Sequence, residues 1–85
     1  MAAYSLFFKD SVQRDFDGIP KKDLMKLLSR IKVLEVDPRP QGCEKLTGQD
    51  RYRLRQGRYR ILYSIEDDRQ AVIVVKVGHR KDIYR

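Results

Sequence analysis

Residues 51–65 largely alternate polar and apolar side chains on both sides of a single glycine, Gly57. Alternation places successive side chains on opposite faces of a β-strand, and a glycine between two such stretches is typical of a tight turn. An even-numbered loop keeps the apolar side chains together on one face and the arginines together on the other. The stretch therefore predicts an antiparallel hairpin with an apolar face and an arginine face, the latter carrying Arg51, Arg53, Arg55, Arg58 and Arg60.

Two even-numbered loops fit the pattern equally well. A loop at residues 56–57 would place Arg53 opposite Arg60, whereas a loop at residues 57–58 would place Arg55 there. In either register like charges lie opposite each other and destabilise the strand pair. A bound phosphate would turn this repulsion into attraction, because its oxygens match the guanidinium fork. We therefore interpret the arginine face as a phosphate site for RNA or DNA, with a simply solvated face as the alternative.

The remaining patterns predict a single domain, 1–85, of the α+β class. Two N-terminal helices should pack on one face of a four-stranded, mostly antiparallel sheet in the order β-α-α-β-β-β. An apolar stripe recurs at helical spacing at Leu24, Leu27, Leu28, Ile31 and Leu34. Of these residues, Leu24, Leu28 and Ile31 are expected to be buried against that sheet. The predicted elements are a strand at 3–9, helices at 10–17 and 20–36, and strands at 51–56, 58–65 and 70–78.

The last predicted strand and the tail extend the arginine face. With Ile73, Val75 and Val77 directed toward the helices, alternation places Lys76 and Arg80 on the arginine side. The tail also contains His79, Lys81 and Tyr84. Tyr84 could pack on the sheet or stack on a nucleic-acid base.

Composition narrows the class of protein. Nineteen Lys and Arg against twelve Asp and Glu give a formal charge of +7, which favours a polyanionic partner such as nucleic acid. The single cysteine, Cys43, allows no disulfide within the chain and no cysteine-based metal site. No signal-peptide pattern is visible, and no run approaches the roughly 20 apolar residues of a membrane span. We therefore expect a cytoplasmic protein without membrane contact.

The sequence shows no serine or cysteine triad, phosphate-binding glycine loop or two-carboxylate metal site. The lone His79 is a poor candidate for a metal ligand, so we predict neither a metal nor a cofactor. Basic groups and tyrosine can nevertheless cleave RNA, because the 2′-OH of RNA supplies the nucleophile. The reaction then needs deprotonation, phosphate stabilisation and protonation of the leaving group.

Two segments, GRYRILYSIEDD and VVKVGHRKDIYR, together with the element order, resemble the RelE/ParE superfamily of bacterial and archaeal toxins. The closing pattern resembles the RelE branch in particular. This resemblance implies a RelE-like, microbial ribonuclease-type fold. It also implies a metal-independent endoribonuclease, an mRNA interferase, that cuts mRNA in the ribosomal A site by attack of the 2′-OH on the adjacent phosphate.

The resemblance also implies roles for individual residues. Two basic family residues on the first hairpin strand match Arg53 and Arg55, and Arg60 would hold the scissile phosphate. Arg80 would contact the transition state or protonate the leaving group, and Tyr84 would stack on a base. Further RNA contacts are predicted at Lys45, Arg51, Arg58, His79 and Lys81.

The general base is left open. The best-known relatives carry lysines where this chain has Arg53 and Arg55. Lysine surrounded by positive charge can lose its proton, whereas arginine essentially cannot. The alternatives are His79, Tyr84, or a reaction in which charge stabilisation dominates and no true base acts.

The expected partners are a cognate RelB-like antitoxin, in a hetero-oligomeric complex, and the 70S ribosome with mRNA. Two other functions are consistent with the same residues. One is a ParE-like, non-enzymatic inhibitor of DNA gyrase, and the other is a basic RNA-binding module without catalysis. The full set of arginines together with the tyrosine favours the ribonuclease.

Overall fold

The computed structural model describes residues 3–48 and 50–83. Within these residues the elements are β1 (Ser5–Phe8), α1 (Ser11–Asp17), α2 (Lys21–Val33), β2 (Glu44–Lys45), β3 (Tyr52–Gln56), β4 (Tyr59–Glu66), a 3-10 turn (Asp67–Arg69) and β5 (Ala71–His79). The strands form one sheet in the order β1-β5-β4-β3-β2. β1 runs parallel to β5, and all other neighbours are antiparallel.

The predicted α+β class and the order of helices and long strands are confirmed. The strand count is not, because the described residues contain five strands rather than four. The additional strand is β2, in which Glu44 lies opposite Arg53 and Lys45 lies opposite Tyr52. Its two residues sit in a loop rich in proline and glycine, where no alternating pattern is long enough to predict a strand.

The hairpin between β3 and β4 adopts the second of the two predicted registers. Arg55 lies opposite Arg60 and Gln56 lies opposite Tyr59, so the loop consists of residues 57–58. Gly57 has φ of +59°. A glycine with positive φ at the first central position suits a type II′ turn, whose twist matches that of the flanking strands.

Both helices cover the same face of the sheet and form the main core with it. The fully buried side chains include Val12 of α1, Leu27 of α2, and Leu54, Ile61 and Tyr63 of the hairpin. The Tyr63 hydroxyl donates a hydrogen bond of 2.9 Å to the carbonyl of Pro38, which satisfies its polar atom inside the core. Neither described helix is long and apolar enough to cross a membrane.

The rotation of helix α2 differs slightly from the prediction. Ile31 is buried and Leu24 packs against the core, as expected, but Leu28 is 42% exposed. Leu27 and Leu34, which belong to the same predicted stripe, are fully buried. Leu27, Ile31 and Leu34 recur every three or four positions, and Leu28 lies one residue, about 100° of helix rotation, away from Leu27.

Because β5 contains a bulge, two of its residues lie on the side of the sheet opposite to the predicted one. The register between β4 and β5 shifts between Leu62 and Tyr63. Val75 is the extra residue on β5, and a bulge of this kind reverses the alternation beyond it. Val77 faces the helices as predicted, whereas Ile73 and Val75 pack in a second cluster on the arginine face.

The rotation of α2 predicts different costs for two neighbouring substitutions. Leu27→Ala removes a fully buried side chain and should lower the free energy of unfolding by about 2–5 kcal/mol. Leu28→Ala, at the exposed neighbouring position, should cost less than about 1 kcal/mol. Urea unfolding of the two variants beside the wild type measures both, and equal losses would contradict this rotation.

Candidate nucleic-acid interface

The arginine face lies on the side of the sheet opposite the helices. Arg53 and Arg55 alternate with the buried Leu54 on β3, and Arg60 precedes the buried Ile61 on β4. Because Leu54 lies opposite Ile61 in the core, strand alternation directs these arginines to the other face. The packing of the core therefore places three guanidinium groups on one surface.

A carboxylate that the sequence reasoning missed is bound to this surface. Arg53 donates a hydrogen bond of 2.7 Å from Nη2 to Oε2 of Glu44, and Arg55 Nη2 lies 3.6 Å from Oε1 of the same residue. The hydrogen bond from Arg53 is the main cause that lowers the pKa of Glu44, with smaller contributions from the charges of Arg53, Arg55 and Arg60. The arginines thus already hold one oxyanion, and β2 is the element that delivers it.

Arg60 is half-buried and folds back over the hairpin turn. Its Nη1 donates to the carbonyl of Tyr59 at 3.1 Å and approaches that of Gly57 at 3.4 Å. The residue opposite Arg60 on β5 is Gly78, which has no side chain. The nearest side chain at that position is Ile83, whose Cδ1 would lie 3.5 Å from a Cβ at Gly78.

The start of the tail is attached to the same end of the hairpin. The backbone N–H of Arg80 donates a hydrogen bond of 2.8 Å to the carbonyl of Arg58, and both side chains are exposed. The structure therefore places Arg80 and Arg58 beside the turn that also holds Arg60. Lys81 follows as an exposed residue of the next turn.

His79 lies on the other side of the sheet. It pairs with Tyr59, whose ring packs edge to face against the imidazole at 5.8 Å between centroids, so it shares the helix-facing side with Tyr59. Its Nδ1 accepts a hydrogen bond of 3.2 Å from the backbone N–H of Lys81. Since an accepting nitrogen carries no proton, the proton of the neutral ring is on Nε2.

Lys45 and Arg51 line a groove of about 830 Å³ at the end of the hairpin remote from its turn. Arg39 crosses this groove, donating two hydrogen bonds to Asp67 (3.2 and 2.9 Å) and one to the hydroxyl of Tyr52 (3.2 Å). Hydrogen bonding by Arg39 lowers the pKa of Asp67. Acidic and basic side chains are mixed here, so the positive charge of this groove is partly neutralised.

The predicted site residues thus fall into separate groups. Arg53, Arg55 and Arg60 share one face, with Arg58 and Arg80 at the adjoining turn, whereas Lys45, Arg51 and His79 lie elsewhere. Tyr84 lies outside the described residues. Within residues 3–48 and 50–83, no group of three or more His, Cys, Asp or Glu side chains could hold a metal ion.

The fold and the basic sheet face together define a toxin domain of the RelE/ParE type. Residues 6–84 match the family described as the ParE toxin of type II toxin–antitoxin systems, parDE. The chain belongs to this family, and it is the toxin of such a system.

Named relatives match almost the full chain. Toxin RelG of Mycobacterium tuberculosis is 31% identical over 86 residues, which cover 96% of this chain and 97% of RelG. The putative toxin RelE1 of Methanocaldococcus jannaschii is 30% identical over 78 residues, covering 87% of each chain.

Solved structures share the fold. The RelE–RelB complex of Pyrococcus horikoshii contains a chain that matches with a TM-score of 0.83 and 27% identity, covering 94% of this chain and 98% of that one. The RelBE2 complex of Mycobacterium tuberculosis matches with a TM-score of 0.81 and 26% identity, covering 92% and 99%. The predicted RelE/ParE resemblance is confirmed.

The contact between Glu44 and Arg53 predicts a specific dependence of stability on pH. The pKa of Glu44 is lowered in the fold. The ionised carboxylate therefore stabilises the protein above its ordinary pKa of about 4.3, and this contribution is lost as the pH falls through the lowered value. Glu44→Gln should be less stable than the wild type at pH 7, and the difference should disappear in acid.

Chemical unfolding of both proteins between pH 2 and pH 7, a window of roughly five units around the ordinary carboxyl pKa, measures this difference. Glu66→Gln is a suitable control, because Glu66 makes only an exposed contact of 3.8 Å with Arg69. A gap between wild type and Glu44→Gln that is constant with pH would contradict the ionic origin of the effect.

Proposed function

We propose that this toxin is an endoribonuclease that cleaves mRNA in the A site of the ribosome and thereby inhibits translation. The observation that supports this most directly is the surface formed by Arg53, Arg55 and Arg60, on which a carboxylate is already bound at 2.7 Å. A carboxylate and a phosphate both present oxygen pairs to a guanidinium fork. The surface thus suits the phosphate of an RNA backbone.

The reaction forms a bond from the 2′-oxygen to phosphorus and breaks the bond between phosphorus and the 5′-oxygen of the next nucleotide. The 2′-hydroxyl gives up its proton to solvent, and the departing 5′-oxygen takes up one proton. The products are a 2′,3′-cyclic phosphate and a 5′-hydroxyl. Arg60 would bind the scissile phosphate, while Arg53 and Arg55 would stabilise the negative charge that develops on the phosphorane oxygens. Arg80, next to the hairpin turn, would contact the leaving group, and Tyr84 would stack on a base.

We assign most of the rate enhancement to stabilisation of the transition-state charge by the arginines. The arginines of the site cannot act as a base at neutral pH. His79 is an unfavourable base in this conformation, because its Nδ1 is engaged by the backbone of Lys81 and its Nε2 carries the proton. Stabilisation of the phosphate by fixed positive charges needs no proton transfer to the arginines or to His79.

A cognate RelB-like antitoxin is the proposed protein partner, in a hetero-oligomeric complex, and the 70S ribosome with mRNA is the proposed site of action. The solved relatives from Pyrococcus horikoshii and Mycobacterium tuberculosis are complexes of this type. On this chain, Met25 of α2 is 63% exposed, and Val36, three residues after the end of α2, is 60% exposed. An amphipathic antitoxin segment could cover such apolar side chains while its acidic groups meet the arginine face.

Two arginine substitutions test the site. Arg60→Ala and Arg80→Ala should each slow cleavage by about 100-fold or more, because each removes a contact made in the transition state. Arg14→Ala is the matched control, since Arg14 is an exposed arginine of α1, on the side of the sheet away from the arginine face. Primer extension on mRNA in a translating extract measures the cuts.

The same assay separates the competing functions. Codon-spaced cuts support the ribonuclease, and intact mRNA with inhibited DNA supercoiling would identify a gyrase inhibitor instead. RNA binding without either effect would leave a non-catalytic binding module. Wild-type cleavage by both arginine variants would refute the assignment of Arg60 and Arg80.

The assignment of the rate to charge stabilisation predicts a ranking of variants. His79→Ala should reduce cleavage less than Arg60→Ala, because His79 lies on the helix-facing side and is not a proton acceptor at Nε2. Single-turnover cleavage rates on programmed ribosomes give the ranking. A larger loss for His79→Ala would show that the imidazole acts as the base.

A further inference from the structure

An apolar side chain from the tail is buried on the arginine face. Ile83 is only 2% exposed and packs with Leu62 and Val75 in the second cluster, against which Leu46 and Ile73 also pack. Nothing in its sequence context distinguishes Ile83 from a solvent-exposed tail residue. Its burial on this face therefore requires a separate explanation.

The site that receives Ile83 is built by a departure from a regular strand. The bulge in β5 turns Val75 toward the arginine face, where it packs with Leu62. Ile83 also lies over Gly78, because a Cβ at that position would be 3.5 Å from Cδ1 of Ile83, an ordinary van der Waals contact. The contact with Ile83 thus depends on the bulge and not on the absence of a side chain at position 78.

The backbone between β5 and Ile83 forms a hydrogen-bonded turn. The carbonyl of His79 accepts hydrogen bonds from the N–H groups of Asp82 (2.8 Å) and Ile83 (3.0 Å). Arg80 lies inside this turn, with its own N–H bonded to Arg58 at 2.8 Å. Ile83 at one end and the hydrogen bond to Arg58 at the other thus fix the position of Arg80.

Ile83 also lies next to the arginines of the face, on the side of β5. Leu62, with which it packs, is opposite Arg53, and Gly78, which it covers, is opposite Arg60. The turn that carries Arg80 is therefore held adjacent to the arginines of the hairpin.

We propose that Ile83 is a positioning residue that anchors the turn at residues 80–83 on the arginine face and thereby holds Arg80 beside Arg60. This inference rests on the proposed ribonuclease function. It assigns to Ile83 no contact with RNA, so its effect on cleavage is exerted through Arg80.

A double-mutant cycle tests this coupling. Single-turnover cleavage of ribosome-bound mRNA is measured for the wild type, Ile83→Ala, Arg80→Ala and the double variant, all produced by cell-free synthesis. Ile83→Ala should slow cleavage by about tenfold or more, because small displacements of a catalytic group are costly. In the Arg80→Ala background the same change should have little further effect.

Two conservative variants serve as controls. Ile83→Val keeps most of the buried side chain and should restore most of the rate. Gly78→Ala should also remain active, since its Cβ would make an ordinary van der Waals contact with Ile83. For Ile83→Ala, the two backbone amides that are bonded to the carbonyl of His79 should exchange their hydrogens faster, with unchanged protection in β5.

The outcomes separate the inference from the proposed function. Two outcomes overturn only the role of Ile83 and leave the proposed function intact. One is cleavage by the wild type with multiplicative losses in the double variant, and the other is unchanged hydrogen-exchange protection of the turn in Ile83→Ala. Absence of mRNA cleavage by the wild type overturns the proposed function and this role together. Losses that converge on the Arg80→Ala value, together with local loss of protection, support the proposal.

Discussion

The contact between Leu54 and Ile61 is the constraint on which the remaining structure depends. Both side chains are fully buried and lie opposite each other in the hairpin. A shift of one residue in register would move the apolar side chains of one strand into water and bring its arginines under the helices. Burial of the core therefore forces Arg55 and Arg60 together on the other face, and hydrophobic free energy offsets their repulsion.

Glu44 lowers the electrostatic repulsion on the arginine face, while the net charge of that face remains positive. One carboxylate is shared by Arg53 and Arg55, so the repulsion between arginines is reduced in the absence of substrate. A phosphate that binds there exchanges with an existing ionic contact, and its net affinity is a difference between two interactions. Such a surface would bind phosphate with lower affinity than its charge count suggests.

Much of the fold can be predicted from local sequence patterns, because side chains repeat every two residues in a strand and every three to four residues on one face of a helix. Alternation over residues 51–65 predicts both faces of the hairpin, and glycine at position 57 predicts the turn. Three features were not predictable in this way. The strand β2 has only two residues, so it shows no alternating pattern. The bulge at Val75 follows a run of apolar residues, in which alternation cannot be seen. The rotation of α2 depends on whether Leu27 or Leu28 faces the sheet.

The same limit applies to the candidate site. The arginines were predictable from alternation, whereas their counter-ion Glu44 and the anchor Ile83 come from segments whose placement depends on tertiary contacts. His79 is the last residue of β5 and lies opposite Tyr59 on the helix-facing side, where alternation from Val77 also places it. Beyond the bulge, at Ile73, the same alternation fails, because a residue's side of a sheet can be predicted only as far as the strand remains regular.

The parallel pairing of β1 with β5 affects how the arginine face forms during synthesis of the chain. Ser5–Phe8 pairs with Ala71–Val74, almost the full length of the chain away. A contact of this range forms late and slowly, because the intervening chain must first be ordered. A nascent chain that ends after β4 has its hairpin arginines but lacks the strand that carries Val75 and Gly78. The side of this surface that β5 carries is therefore completed only after β5 has been synthesised and has paired with β1 and β4.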